Sequence, residues 1–513
     1  MKAKVLIFTL ITALLIAVFC VNVSAAESTV YTSQNGLYKY TVGEKNSATV
    51  VEYLGSEVNV SINRIDGKYV VTDIGYAAFA ENEKIESVEI YATVKTIGES
   101  AFEGCENLKK VTFRSGSELE TIGDFAFYGC TKLSDFAFPT GIKTVGDGAF
   151  ENCSSLSPDM SKMTNLVSIG SYAFAYCGAT PFDVVIPASL ESIGYGAFYG
   201  TSGVRSVLVD SANKSFSGDG TVLMNADKTE IIFYPASVGE TSYQIPAGVK
   251  KIGDGAFAGA LSLETIEIPE GVEYIGSSAF YCSINLKSVK LPSTIKSIGG
   301  YAFLSCTSLE SIEIPDSVTE LGSYIFRACS ALVSAKLPIG LVEIPDGMFD
   351  SCIKLSDVEI PAGVTKIGQY AFNYCYALAS VEIPDSVKVI DSYAFRHCIA
   401  LTSFEAPGVS EIGKFAFQGC SLLKSADVSG ISEIPAFIFN NCAVLSDVKL
   451  PETYKKIGNY AFSGCEMIET FVLPEECEYI GTAAFNGCKA LTEITVPKSV
   501  KFIGSAAFSQ SGL

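Results

Sequence analysis

Tryptophan is absent from this 513-residue chain, and histidine occurs once, at His397. One imidazole leaves a single candidate base for any Ser-His-Asp or Cys-His arrangement, and no orienting motif stands near it. No Cys-x-x-Cys pair is present, so zinc sites of the usual spacing are excluded and no metal ligands are assigned. Neither GxGxxG, a P-loop nor GxSxG occurs, so no catalytic residues are assigned and the chain is not expected to be an enzyme. Charge is also scarce, at 18% of residues, and basic charge most of all: 36 Lys and Arg against 56 Asp and Glu give a net charge of −20. That balance argues against nucleic acid and anionic membrane surfaces, and suits cations or basic patches on a partner.

Long apolar runs are missing after the first 26 residues. At the start, Lys2 and Lys4 precede an apolar stretch from Val5 to Val21, and Val23-Ser24-Ala25-Ala26 offers small residues for cleavage. Residues 1–26 therefore read as a secretory signal, which predicts a secreted or cell-surface protein without a membrane span after cleavage. An uncleaved anchor is the competing reading, because the run has the short edge of a spanning length. Cys20 would suit a lipoprotein, but the bulky Phe19 precedes it.

What the chain holds in abundance is one motif, Ile-Gly-x-x-Ala-Phe-x-x-Cys, met eighteen times. Its anchors are Phe79, Phe102, Phe127, Phe150, Phe174, Phe198, Phe257, Phe280, Phe303, Phe326, Phe349, Phe372, Phe395, Phe417, Phe439, Phe462, Phe485 and Phe508. They are 22–25 residues apart, with one gap of 59. Such a period marks a solenoid whose units pack only on their neighbours. In residues 349–371, Leu355, Val358 and Ile360 alternate with Asp357 and Glu359, as in a short strand, and Pro361 ends it. Val364 and Ile367 should then face inward, and Gly368-x-x-Ala371-Phe372 should begin a short helix. The position before that turn is usually glycine, but Pro345, Asp391 and Pro435 also fill it. Proline excludes a positive φ, and all three residue types favour helix N-termini. The expected fold is an α/β solenoid of short parallel strands and short helical turns.

Residues 27–70 lie outside this register and read as a β-rich N-terminal cap, with repeats over 71–200 and 248–513. The island at 201–247 contains a β-hairpin signal, with residues 220–224 and 230–235 flanking Asn225 to Lys228. At this level of detail, IPDSVTELGSYIFRACSALVSAKL (314–337) and IPAGVTKIGQYAFNYCYALASVEI (360–383) resemble the BspA-type leucine-rich repeats of bacterial surface proteins. The resemblance runs from Val71 to the C-terminus. It implies a right-handed leucine-rich-repeat solenoid, export, and adhesion or host-matrix binding as in some members. It implies no catalytic residues.

Thirteen of the sixteen cysteines sit three residues after an anchor, from Cys105 to Cys488; Cys282 is one residue early and Cys477 lies elsewhere. Stacked repeats put the thirteen in one column with a common orientation, whereas a disulfide needs its Cβ atoms facing each other. Buried free thiols acting as small apolar residues are expected, with disulfides between adjacent repeats as the alternative.

Candidate binding residues stand where the repeats differ. Ten residues after the anchors, a row on the expected concave sheet reads Glu267, Lys290, Glu313, Lys336, Glu359, Glu382, Glu405, Asp427, Lys449. Alternating signs favour cross-strand pairing, but Glu359, Glu382, Glu405 and Asp427 place four acids side by side. With Asp357, these residues could meet a basic partner or weakly bind a cation; the plainer account is screening by solvent and salt. No other cofactor is expected. Two residues before the anchors, Tyr301, Tyr324, Tyr370, Tyr393, Phe415, Phe437 and Tyr460 form an aromatic row interrupted by Gly347. It either covers its neighbours or stacks on sugar rings. The leading expectation is a non-enzymatic binder of an extracellular protein or matrix component through the sheet. A structural spacer of the cell surface and a glycan-binding module are the alternatives.

Overall fold

The computed structural model describes residues 29–513 apart from Ala179, Ser202, Ser237 and Val238; the expected signal over residues 1–26 lies outside the described residues. The chain is a solenoid of parallel strands in which repeats pair with their neighbours along three lines, some of them interrupted. The expected strand is one of them, as in Thr265–Glu267 beside Ser288–Lys290. A second, two-residue strand was not foreseen. It carries the isoleucine five residues before the anchor, as in Thr96–Ile97 beside Thr121–Ile122.

The third line is the Ala-Phe segment, and the expected short helix is corrected there to a run of turns. Among the described residues the helical segments are three-residue 3₁₀ turns, Glu44–Asn46 and Met160–Lys162. The reason is local and repeats in every unit. The residues two before and two after each anchor are left-handed, for example Tyr301 and Ser305, both at φ 59°. Their N–H groups, and that of Phe303 between them, donate across to Ser323, Arg327 and Ile325 of the next repeat at 2.8–2.9 Å. Alternate N–H groups close local turns instead, as from Cys306 to the Phe303 carbonyl at 3.1 Å. An α-helix would need all of these donors directed four residues back along the chain.

The glycine that opens the segment is likewise not a helix start. A Cβ on Gly98 would stand 2.8 Å from the Ile74 carbonyl oxygen of the preceding repeat, so close backbone approach selects glycine there. Val364 and Ile367 are fully buried, as expected from their pattern.

Inside, the anchor rings form two continuous stacks. Phe79 to Phe198 is one and Phe257 to Phe508 the other, as at Phe102–Phe127 (5.1 Å, 4°) and Phe280–Phe303 (5.0 Å, 2°). Each stack begins on a tyrosine from an antiparallel hairpin. In the N-terminal cap, Ser47–Tyr53 pairs antiparallel with Tyr38–Val42 and parallel with Tyr69–Ile74. Tyr53 then stacks on Phe79 at 5.0 Å, and its N–H donates to the Ala78 carbonyl. In the island, Glu230–Phe233 pairs antiparallel with Leu223–Asn225 and parallel with Lys251–Ile252. Tyr234 stacks on Phe257 at 4.9 Å, and its N–H donates to the Ala256 carbonyl. The island thus caps the second array as the N-terminal hairpins cap the first. Covering the otherwise bare apolar end of an array is what such caps do.

Candidate functional site

The long-strand sheet sets the acidic row in a context that its sequence does not reveal. Where signs alternate, the expected partners meet: Glu267 pairs with Lys290 at 2.5 Å, Glu313 pairs with Lys336, and Asp427 with Lys449 at 3.3 Å. Glu359, Glu382 and Glu405 make no ion pair among the described residues. The sheet also opens there. One ladder ends at Asp357–Val358 and the next begins at Ser403–Glu405, so Glu359 and Glu382 lie outside any strand. Glu405 stands directly opposite Asp427. Like charge alone does not set this break, since Glu405 and Asp427 stay paired in a ladder and another ladder ends between Lys290 and Glu313, where the signs are opposite.

Burial works against ionisation of Asp427, but hydrogen bonds from Ser429 and the Lys449 ammonium outweigh it and hold the carboxyl below its ordinary value. Asp357 and Glu359 share a shallow depression of about 640 Å³ with the Glu313–Lys336 pair and the exposed Ile339. Asp427 lies apart from this depression, so the five acidic candidates form a strip rather than one pocket. No group of three or more acidic, His or Cys side chains is placed to hold a metal ion among the described residues.

The aromatic row is brought together, but face to face. Tyr370, Tyr393, Phe415, Phe437 and Tyr460 form one pile with centroids 4.3–4.8 Å apart and planes within 16°. Tyr301 and Tyr324 stack separately at 5.4 Å, and the Tyr324 ring fills the space that a Cβ on Gly347 would take. Sugar stacking needs free ring faces, and here neighbouring rings cover them; the outermost rings, Tyr301 and Tyr460, are the exposed ones.

The cysteine column holds free thiols, and they are more than apolar filler. Each Sγ in the column donates to the anchor carbonyl of the preceding repeat, as from Cys306 to Phe280 at 3.1 Å. Thr201 and Ser283 make the same bond at 2.8 Å where cysteine is absent. His397 stacks on Tyr374 at 4.9 Å, and burial, helped by Arg396, lowers its pKa.

A polar run was missed by the sequence reading. One residue after the anchors, Asp350 accepts from Arg327 at 3.0 Å and from Asn373 at 2.8 Å. Further along, Arg396 donates to Gln418 and Gln418 to Asn440, at 2.9 and 2.8 Å. The signal was a switch to Arg, Asp, Asn and Gln at that single repeat position.

A family model for the BspA type leucine rich repeat region matches residues 72–205, 231–352, 297–424, 342–468 and 389–513. Among solved structures, the pneumococcal vaccine antigen PcpA is 26% identical with a TM-score of 0.55, over 71% of this chain and 94% of that one. A leucine-rich cell surface protein from Faecalibacterium prausnitzii is 26% identical, with a TM-score of 0.47 over 76% and 96% of the two chains. A leucine-rich repeat protein from Eubacterium ventriosum is 21% identical, with a TM-score of 0.41 over 95% of each. No curated protein matches the chain.

Proposed function

We propose that this chain, which belongs to the BspA-type leucine-rich repeat family, is a secreted or surface-displayed bacterial protein that binds an extracellular macromolecule without catalysis. The observation that carries this reading is the strip of unpaired acids at Glu359, Glu382 and Glu405, where the sheet ladder opens and lysine partners fail. A protein with a basic patch would neutralise that strip, and Asp357 and Asp427 would flank the contact. Electrostatic complementarity of this kind raises association rates and selects partners. The likeness to a pneumococcal vaccine antigen supports the location. An adhesive role follows if the macromolecule belongs to the host matrix.

Binding of the protein to a panel of matrix proteins and glycans, with and without calcium, tests the reading. Salt-sensitive, calcium-independent capture of a basic protein supports it. Selective capture of uncharged glycans alone would move the function to the ends of the aromatic pile, and no binding at all would favour the spacer.

A further inference from the structure

We propose a second docking site, at the joint between the two arrays, that takes an extended polypeptide by main-chain pairing. In the first array, strand carbonyls and turn N–H groups of each repeat are taken up by the repeat that follows. The carbonyls of Thr72 and Ile74 accept from Lys95 and Gly98, and the N–H groups of Tyr172 and Phe174 donate to Tyr195 and Ala197. The Phe198 repeat has no such successor. Its Ser192–Ile193 strand is the end of its sheet. Among the described residues, the carbonyls of Glu191 and Ile193 and the N–H groups of Gly196 and Phe198 find no partner.

The island explains why this edge stays open. Its hairpin closes the beginning of the second array and meets the Phe198 repeat through the Phe233 ring, 5.3 Å from Phe198, and through a main-chain bond from Val207 to the Gly220 carbonyl at 3.4 Å. Between the two backbones lies a cleft of about 330 Å³, walled by Ile193, Tyr195, Phe198 and Phe233 and rimmed by the Glu230–Lys251 ion pair. Ile193 is partly exposed there, whereas its counterparts Ile97 and Ile122 are fully buried.

An edge of unpaired backbone groups is a template for another strand. This one presents two acceptors followed by two donors. Its complement is a polypeptide that offers two N–H groups while extended and then two carbonyls as it turns. An apolar side chain on that polypeptide would cover Ile193. The chemistry is that of a peptide backbone, and the acidic strip plays no part in it.

A synthetic peptide copying residues 455–464, KKIGNYAFSG, carries the complementary groups, because in its own repeat these residues donate from Gly458 and accept at Asn459 and Ala461. Hydrogen exchange of the full chain with and without this peptide tests the site. The peptide should slow exchange at Gly196 and Phe198, and methylating its Lys456 and Gly458 nitrogens should weaken binding about tenfold or more. Absence of binding, equal binding of the methylated peptide, or protection confined to another part of the chain would overturn the proposal. Protection of Gly196 and Phe198 in a concentration-dependent dimer without peptide would also overturn it, by making a second copy the occupant.

Discussion

Cys352 donates its thiol hydrogen to the carbonyl oxygen of Phe326, one repeat back, at 3.1 Å. The same oxygen accepts the N–H of Cys329 at 3.0 Å, so an anchor carbonyl followed by a Cys, Thr or Ser in the next repeat is doubly satisfied, once within its repeat and once from the next. This tie passes along the array independently of the ring stack, and it gives the cysteine column a reason beyond volume.

Cys352→Ala should therefore lower stability by about 1–3 kcal/mol, since a buried carbonyl loses a partner and a small void opens. Cys352→Ser should recover about 1 kcal/mol of that, as serine can donate the same bond. Urea midpoints of the two variants check the order; equal losses would reduce the column to packing alone.

Alkali should unfold the protein through these same thiols. Burial pushes Cys105 up to about 11 and Cys488 up to about 12, from an ordinary value of 9.0. Below pH 9 both folded and unfolded thiols keep their protons, and the full contribution is present. Above it the unfolded thiols ionise while the folded ones do not, so stability falls as pH rises towards the folded values. Urea midpoints under reductant between about pH 8 and about pH 10.5 should decline steeply. A flat profile would contradict the buried, protonated column.

Tyr393 sits at φ 64° and is stacked on both sides, by Tyr370 and Phe415 at 4.7 Å. Removing the ring loses the stack, but only glycine relieves the left-handed backbone. Tyr393→Gly should thus be less damaging than Tyr393→Ala by about 1 kcal/mol, the reverse of the usual order in regular structure. Thermal denaturation of both variants measures the difference.

The island should make the second array autonomous. A chain of residues 216–513, starting at the Phe216–Gly218 strand, keeps the hairpin, Tyr234 and every anchor from Phe257 onward. It should fold alone and melt cooperatively, by circular dichroism and calorimetry. A chain starting at residue 248, without the hairpin and Tyr234, should aggregate or melt far lower, because the Phe257 ring loses its cover.

The repeat, the inward residues such as Val364 and Ile367, and the column of free thiols were legible because burial imposes a period on the sequence. The helix was misread because alternating left-handed positions leave little trace in composition: Tyr301, Gly347 and Ala483 share one backbone conformation and no side-chain chemistry. Tyr234 was readable in principle, standing 23 residues before Phe257, but tyrosine in place of phenylalanine hid it. The acidic strip was legible as a row, whereas the opening of the ladder around Glu382 depends on pairing between repeats and not on any one of them.

Affinity for the tightest matrix partner, measured across ionic strength with and without Glu359→Gln, Glu382→Gln, Glu405→Gln and Asp427→Asn together, tests the binding strip most directly. Wild-type affinity should fall as salt rises, and the fourfold variant should bind about tenfold weaker with a flattened salt dependence. An unchanged affinity and salt slope would contradict the proposal that this strip holds the partner.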